Sequence, residues 1–388
     1  MKPIRAFLAL LSLLQAVAGA RVLWRLWRSR GGPRIAVRRS DPAASGLVSI
    51  IVPVLNEQQR LAPCLAGLLK QGPEVAQILV VDGGSQDGTR ELVAQYARHE
   101  PRLKLFVASP PPANWNGKAW GLQEGIDHCA PTTRWLLTID ADVRPAAQLS
   151  ASLLAYALAH DLLALSVATH QDLRGSGLGL LHPALLATLV YRFGIPGGVA
   201  RRVSDVQANG QCFLVRRDAL RSAGGLAVAR ASRCEDVTLA RALVLAGVPV
   251  GFFETEGLVD VAMYADAAEA WRNWPRSLPM RDRFWNRRAL VALAEVALTQ
   301  ALPLPLYVLL SCVPWSGDWT RQPRAVNAAL LLARLGVLIG MRRAYRRPPW
   351  SYWLSPALDL PVTVRLIASA LQQRQRWRGR LLVSEGLS

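Results

Sequence analysis

The sequence offers few of the usual anchors for a functional reading. Its five cysteines, Cys64, Cys129, Cys212, Cys234 and Cys312, are scattered with no Cys-x-x-Cys among them. That gives neither a zinc site nor a disulfide framework, and it suits a reducing cytoplasm. The five histidines, His99, His128, His160, His170 and His182, show no ligand spacing, so surface or packing roles are expected of them. There is no Gly-x-x-x-x-Gly-Lys-[Ser/Thr] phosphate loop. The nearest approach to Gly-x-Gly-x-x-Gly is Gly175-Ser176-Gly177-Leu178-Gly179, whose third glycine falls one place short and which lacks the strand-to-helix setting, so a dehydrogenase reading is weakened. Acidic residues are scarce, 27 against 46 Lys and Arg, for a net charge of +19. No nucleic-acid-binding module accompanies that charge, and no nucleic-acid partner is expected. Internal repeats and low-complexity tracts are also absent.

What the chain does have is apolar sequence. Hydrophobic residues make up 51% of its 388 positions, high for a soluble enzyme and pointing to membrane segments. The arginine clusters flank apolar runs, as in RVLWRLWRSRGGPRIAVRR and MRRAYRR, which is the positive-inside pattern. The run Ala6 to Trp24 reads as a signal peptide or an anchoring helix; Arg21, Arg25 and Arg28 close behind it favour the anchor. The Pro/Ala/Ser/Gly stretch from Asp41 to Gly46 reads as a linker. Towards the C-terminus, Ala289 to Val313, Ala325 to Met341 and Pro356 to Leu371 are apolar but carry polar interruptions such as Glu295, Arg334 and Asp359. A soluble helical bundle is the alternative there; the flanking RRAYRR and RQRWRGR favour membrane helices, with a re-entrant or interfacial segment as the alternative for the last. The expected organisation is a membrane anchor and basic linker over residues 1–46, a catalytic domain over 47–285, and C-terminal transmembrane or interfacial helices with a basic tail over 286–388.

From Val48 strand and helix patterns alternate, which argues for an α/β fold with a parallel sheet covered on both faces. VSIIVPVLN, QILVVD ending at Asp82, and LKLFVA are strands, and WLLTI follows them with Asp140 and Asp142 at its end. Gly83 and Gly84 permit a tight turn after Asp82, and Asp87 can cap the next helix. An apolar strand running into two carboxylates puts them at the carboxyl edge of the sheet, where open α/β folds bind ligands. Hard divalent cations favour such oxygen ligands and complete their shell with substrate phosphates. Taken alone, an acidic turn after a strand accounts for most such triplets. Glu235 and Asp236 stand ahead of VTLARALVLAG, where they either form a favourable acidic helix start or hold a carboxylate facing a cleft as a general base. The apolar LGLLHPALLATLVYRFGI, Leu178 to Ile195, reads equally as a core helix or as an interfacial helix beside a lipid-accepting cleft.

In their order and spacing, VSIIVPVLNE, VVDGGSQDGT, NGKAWGLQEG, DAD and Cys234-Glu235-Asp236 resemble a family 2 glycosyltransferase of GT-A fold, over roughly residues 47 to 260. The resemblance implies a Rossmann-like, mostly parallel sheet, here with N-terminal and C-terminal transmembrane helices. It also implies a nucleotide-diphospho-sugar donor, a UDP-sugar foremost, and a divalent cation, Mg2+ or Mn2+. By the same resemblance Asp82 contacts the base of the donor, Pro53, Asn56, Glu57, Asp87 and Lys118 belong to the donor site, Asp142 with Asp140 binds the metal, and Asp236 is the catalytic base with Glu235 beside it. Asn209, Gly210 and Gln211 fall where family members approach donor sugar and acceptor. The family has Thr-Glu-Asp where this chain has Cys-Glu-Asp, which keeps both carboxylates. Its Gln/Arg-x-x-Arg-Trp element is missing at the expected distance; Trp271, Arg272, Trp274 and Arg276 are the working equivalent, with an amphipathic helix as the alternative. A literal Gln373-Arg374-Gln375-Arg376-Trp377 lies near the C-terminus, in the wrong place for that role. The layout is similar to that of bacterial carotenoid- and hopanoid-type and ceramide-type lipid glycosyltransferases. It implies a multi-pass protein of the cell (inner) membrane with a cytoplasmic catalytic domain, inverting transfer and a hydrophobic, lipid-like hydroxyl acceptor. A processive polysaccharide synthase and a catalytically dead, membrane-anchored nucleotide-sugar-binding module are the alternatives.

Overall fold

The computed structural model describes residues 2–312, 318–372, 374–377 and 380–383. The chain opens with a long helix, α1 (Lys2–Ser29), and a short strand, β1 (Arg34–Ile35). The alternating region follows as β2 (Val48–Val54), α2 (Gln58–Leu68), β3 (Val75–Asp82), α3 (Thr89–Ala97), β4 (Leu103–Val107), α4 (Gly117–Asp127), β5 (Trp135–Ile139), β6 (Val143–Pro145) and α5 (Leu149–Ala159). It continues through β7 (Ala164–Ala168), β8 (His170–Gln171), α6 (Gly175–Phe193), β9 (Gly198–Ala200), β10 (Cys212–Arg216), α7 (Arg217–Ser222), α8 (Glu235–Leu245), β11 (Val250–Thr255), β12 (Val259–Val261) and α9 (Ala267–Asn273). Helices α10 (Arg287–Val296), α11 (Pro303–Cys312), α12 (Arg321–Met341) and α13 (Asp359–Leu371) precede a hairpin of β13 (Arg374–Trp377) and β14 (Arg380–Val383).

The main sheet runs β1-β11-β7-β10-β5-β2-β3-β4, with β9 against β11. Strand β2 pairs in parallel with both β5 and β3. Six of its seven residues are buried, because helices cover both faces of a parallel sheet and leave no solvent side for alternation. Strand β10 is antiparallel to β5 and β7, so the sheet is mixed. The parallel order places the carboxyl ends of β5, β2 and β3 side by side, which brings together the loops after Ile139, Val54 and Asp82.

Four helical stretches are long and apolar enough to cross a membrane by length and composition: Lys2–Ser29, Arg287–Cys312, Asp318–Ala344 and Trp350–Leu371. Arg287–Cys312 joins α10 to α11 through a π-helical turn at Ala297–Ala301. Helix α1 is built into this group, since Arg21 and Arg25 both reach Glu295 of α10, at 2.5 and 2.8 Å. It runs parallel to α12, with Arg5 over the Trp319 ring, Gln15 Nε2 donating to Asn327 Oδ1 at 3.0 Å, and Gly19 packed so closely on Leu330 that a Cβ there would lie 2.8 Å from its side chain. The two polar interruptions expected to weaken the C-terminal runs are partners: Arg334 Nε and Asp359 Oδ2 lie 2.8 Å apart, with side-chain exposures of 1% and 2%. Helix α6 is packed in the interior, with Leu178, Leu181, Ala184, Leu185 and Tyr191 buried against the C-terminal helices.

Ahead of the expected linker at Asp41–Gly46, the segment after α1 enters the sheet. β1 pairs in parallel with β11, and Arg34 Nε lies 2.8 Å from Glu254. Only residues 30–33 separate α1 from β1. Within them Gly32 packs so closely on Gly197 that a Cβ there would lie 2.7 Å from the Gly197 Cα.

Candidate active site

The carboxyl edge of the sheet gathers the acidic residues. Asp140 follows β5, and its backbone N–H donates to the Gln211 carbonyl across the β5–β10 pairing at 3.2 Å. Helix α4 starts beside it, where the Asn116 side chain accepts from the Lys118 N–H at 3.0 Å and caps the first turn. Asn116 also donates to the Ser232 carbonyl at 2.9 Å, drawing the start of α8 against α4. As a result the Lys118 ammonium stands 2.8 Å from Asp140 Oδ1 and 2.7 Å from Glu235 Oε1. Lys118 and Asp140 remain about a quarter exposed, at 25% and 26%, so a ligand can reach them. Asp236 accepts the Gly210 N–H at 2.6 Å.

Burial works against the Lys118 charge, but Asp140, Glu235 and Asp236 around it more than offset that and raise its pKa. Asp236 is pushed up to about 6, first by burial and then by Glu235, against the opposing pull of Lys118 and the Val237 and Gly210 N–H groups. Asp142 is pushed up to about 7 by burial and by the negative charges of Asp140 and Glu57.

The residues expected on the donor side line up along the neighbouring strand ends. Asn56, with φ 56, turns the chain after β2 in the left-handed region that Asn tolerates. Its N–H donates to Ser85 Oγ, its Oδ1 accepts from Gln86, and the Glu57 N–H donates to Thr89, zipping this loop to the one after β3. Asp87 accepts from the Gln58 and Thr89 N–H groups in the same seam. Pro53 is half-buried on β2. Asp82 is fully buried, holding the Gly84 and Ser85 N–H groups and, at 2.5 Å, Arg90.

Asp142 Oδ1 is buried without a hydrogen-bond partner. Among the described residues no group of three or more His, Cys, Asp or Glu converges. An orphaned carboxylate oxygen beside Asp140 and Glu57 fits a hard cation that takes one or two carboxylates from the protein and the rest of its shell from a diphosphate.

A cavity of about 880 Å³ extends from this acidic cluster into the helices. Lys118, Asp140, Asn209, Gly210, Gln211, Glu235, Asp236, Trp274 and Arg276 line its polar end. Thr169 donates to Gln211 at 2.8 Å and accepts from Gln171 at 2.9 Å and from Asn209 at 3.4 Å, a polar wall that the sequence reading missed. Tyr264 on the same wall was missed too. The other end is largely apolar and comes from distant segments, Leu23 and Leu26 of α1, Leu185, Leu186, Leu189 and Val190 of α6, and Ala333, Gly336, Val337, Ile339 and Gly340 of α12. Small residues at Ala333, Gly336 and Gly340 were the available signal.

The expected Trp/Arg element is only partly at the site. Arg276 lies close enough to Asp140 to act on its charge, and Trp274 lines the cavity from a buried position among the C-terminal helices. Arg272 is exposed on α9 and is not part of the cavity wall, and Trp271 packs under Arg365, 4.5 Å from its ring centre, instead of facing a sugar. The period of α9 turns these two outward while the following turn brings Trp274 and Arg276 in. Gln373, which opens the C-terminal Gln-x-x-Arg-Trp, lies outside the described residues.

A mixed sheet with an acidic carboxyl edge and an acidic helix start facing it defines the GT-A nucleotide-sugar transferase fold. The mannosyltransferase PcManGT of Pyrobaculum calidifontis, solved with GDP-Man and Mn2+, superposes with a TM-score of 0.53 at 17% identity, over 95% of this chain and 97% of that one. The chain carries a glycosyltransferase family 2 domain, since residues 49–223 match the family model described as Glycosyl transferase family 2. Among curated relatives, Glycosyltransferase AglE of Haloferax volcanii is 29% identical over 99 residues, 23% of this chain and 33% of the relative. Dolichyl-phosphate beta-glucosyltransferase ALG5A of Trichomonas vaginalis is 34% identical over 110 residues, 26% of this chain and 32% of the relative. The matched stretch thus spans about a third of the length of these relatives.

Proposed function

We propose that this chain is a membrane-embedded glycosyltransferase that moves a sugar from a nucleoside-diphospho-sugar, a UDP-sugar foremost, to a hydroxyl of a lipid-like acceptor with inversion. The observation that carries the reading is the single cavity with Asp236, Glu235 and Asp140 at one end and apolar helix side chains at the other. The nucleotide sugar and Mn2+ bound to the mannosyltransferase of like fold, and the dolichyl-phosphate glucosyltransferases among the relatives, support the donor, the ion and a lipid-linked acceptor. Asp236 and Glu235 stand at the polar end of the cavity, which suits a hydroxyl that must give up a proton as it attacks.

Asp142 and Asp140 would hold the divalent ion, Mg2+ or Mn2+, which when bound relieves charge on the departing diphosphate as a Lewis acid. Asp82 would contact the base of the donor, and Arg276 at the cavity wall would face the diphosphate. Asp236, kept at the cavity by Gly210, takes the acceptor proton. The acceptor oxygen then forms its bond to the anomeric carbon as the bond to the diphosphate oxygen breaks, and the nucleoside diphosphate leaves with that electron pair.

The arginines at the ends of α1 and α12, Arg28, Arg30, Arg342 and Arg343, lie on the side of the helices that carries the sheet, which supports a cytoplasmic catalytic domain on a cell (inner) membrane protein. Membranes containing the chain, incubated with a panel of labelled nucleotide sugars, are expected to yield one glycosylated lipid by mass analysis. Binding of a nucleotide sugar with no transfer to any lipid would instead favour the dead binding module.

A further inference from the structure

We infer that the acceptor lipid enters sideways from the bilayer, through a fork between α1 and α12 that Gly336 and Gly340 hold open. This rests on the transferase reading above and adds the acceptor's route and the residues that set its girth. The two helices run in parallel and are closed where Gln15 meets Asn327 and Gly19 meets Leu330. One turn further on they stop filling the space between them. Leu23 and Ile339 line the cavity and are at the same time 50% and 65% exposed, so the cavity wall is continuous with the outer surface of the helices. Gly336 and Gly340 also line the cavity and are exposed, and a Cβ built on either meets nothing within 4 Å.

The occupant this fork fits is a hydroxyl-bearing lipid with a hydrocarbon chain. Its wall beyond the polar end includes Leu26, Leu186, Leu189, Val190 and the small-residue face of α12, which offer contact to an alkyl or isoprenoid chain, with Arg30 and Arg343 also on the lining. Its inner end meets Asp236, which accepts a hydroxyl proton. A water-soluble sugar acceptor would have no use for the apolar half, and its outer opening lies on the surface expected to face lipid.

The test uses the full chain in phosphatidylcholine nanodiscs with 1-hexadecanol carrying a mid-chain diazirine, photolysed and mapped by mass spectrometry. In the unsubstituted protein, label is expected on Leu185–Val190 of α6, which the helices shield from bulk lipid. In the double variant Gly336→Leu, Gly340→Leu that labelling is expected to fall about tenfold or more, the effect of filling a fitted apolar pocket. Labelling of the outward Leu332 should stay unchanged and serves as the control. Because neither glycine side touches a neighbour, the variant should keep its melting temperature, and Gly336→Ala should behave as the unsubstituted chain. Equal α6 labelling in the double variant, or none in the unsubstituted protein, overturns the fork. Label in α6 without sugar transfer to any lipid leaves the fork standing and removes the transferase reading; transfer without such label does the reverse.

Discussion

The Gly210 N–H donates a 2.6 Å hydrogen bond to Asp236 Oδ2, and a Cβ on Gly210 would come within 3.1 Å of the same oxygen. A methyl at position 210 would therefore press on the carboxylate and move it by a few tenths of an ångström. Gly210→Ala is expected to keep donor binding and slow transfer by about 10- to 100-fold, the scale of a small misplacement of a catalytic group. Asp236→Asn should lose about 100- to 10,000-fold and leave donor affinity by calorimetry unchanged. Product NMR should show inversion; retention would remove Asp236 from the base role.

Because Asp236 is pushed up to about 6, transfer should fall as pH drops through that value, the base being neutral below it. Lys118 opposes that shift by favouring the anion. Removing it in Lys118→Met should raise the Asp236 pKa further and move the acidic limb of the pH–rate profile to higher pH. A limb that stays put, or moves to lower pH, contradicts the assignment.

The partnerless Asp142 Oδ1 gives a metal test that needs no turnover. With UDP present, Mn2+ at about 100 times its dissociation constant should stabilise the fold by roughly 2.7 kcal/mol, seen as a rise in melting temperature that EDTA reverses. Asp142→Asn should lose most of that rise. An equal rise in the variant places the ion elsewhere.

The Arg334–Asp359 pair, almost fully enclosed among the helices, should behave as a unit. Arg334→Met or Asp359→Leu alone strands a buried charge and should cost about 3–5 kcal/mol. The double variant should cost much less than the sum, by melting in detergent. Additive losses would mean that the two side chains do not act on each other.

The parts of the site that came from short runs were readable in advance. Asp140 and Asp142 follow an apolar strand, and Glu235 and Asp236 open a helix, so each was placed by its own neighbours. What escaped depends on contacts between remote segments. Arg334 and Asp359, 25 residues apart, look like flaws in two apolar runs until the helices pair them. Trp271 and Arg272 have the right composition for a sugar-stacking element, but their direction is fixed by how α9 packs, which composition does not carry. The apolar half of the cavity draws on α1, α6 and α12, and no local pattern announces that these meet.

The four residues between α1 and β1 make the first helix a mooring of fixed length. Fully stretched they reach at most about 14 Å, and the Gly32–Gly197 contact holds them close to the protein body. On the membrane reading proposed above, the acidic edge would ride at one altitude over the lipid, unable to lift away to meet an acceptor out in the water. Splicing extra residues between Ser29 and Arg34 would let it drift off that level, uncoupling donor binding, which any height allows, from transfer, which only one does.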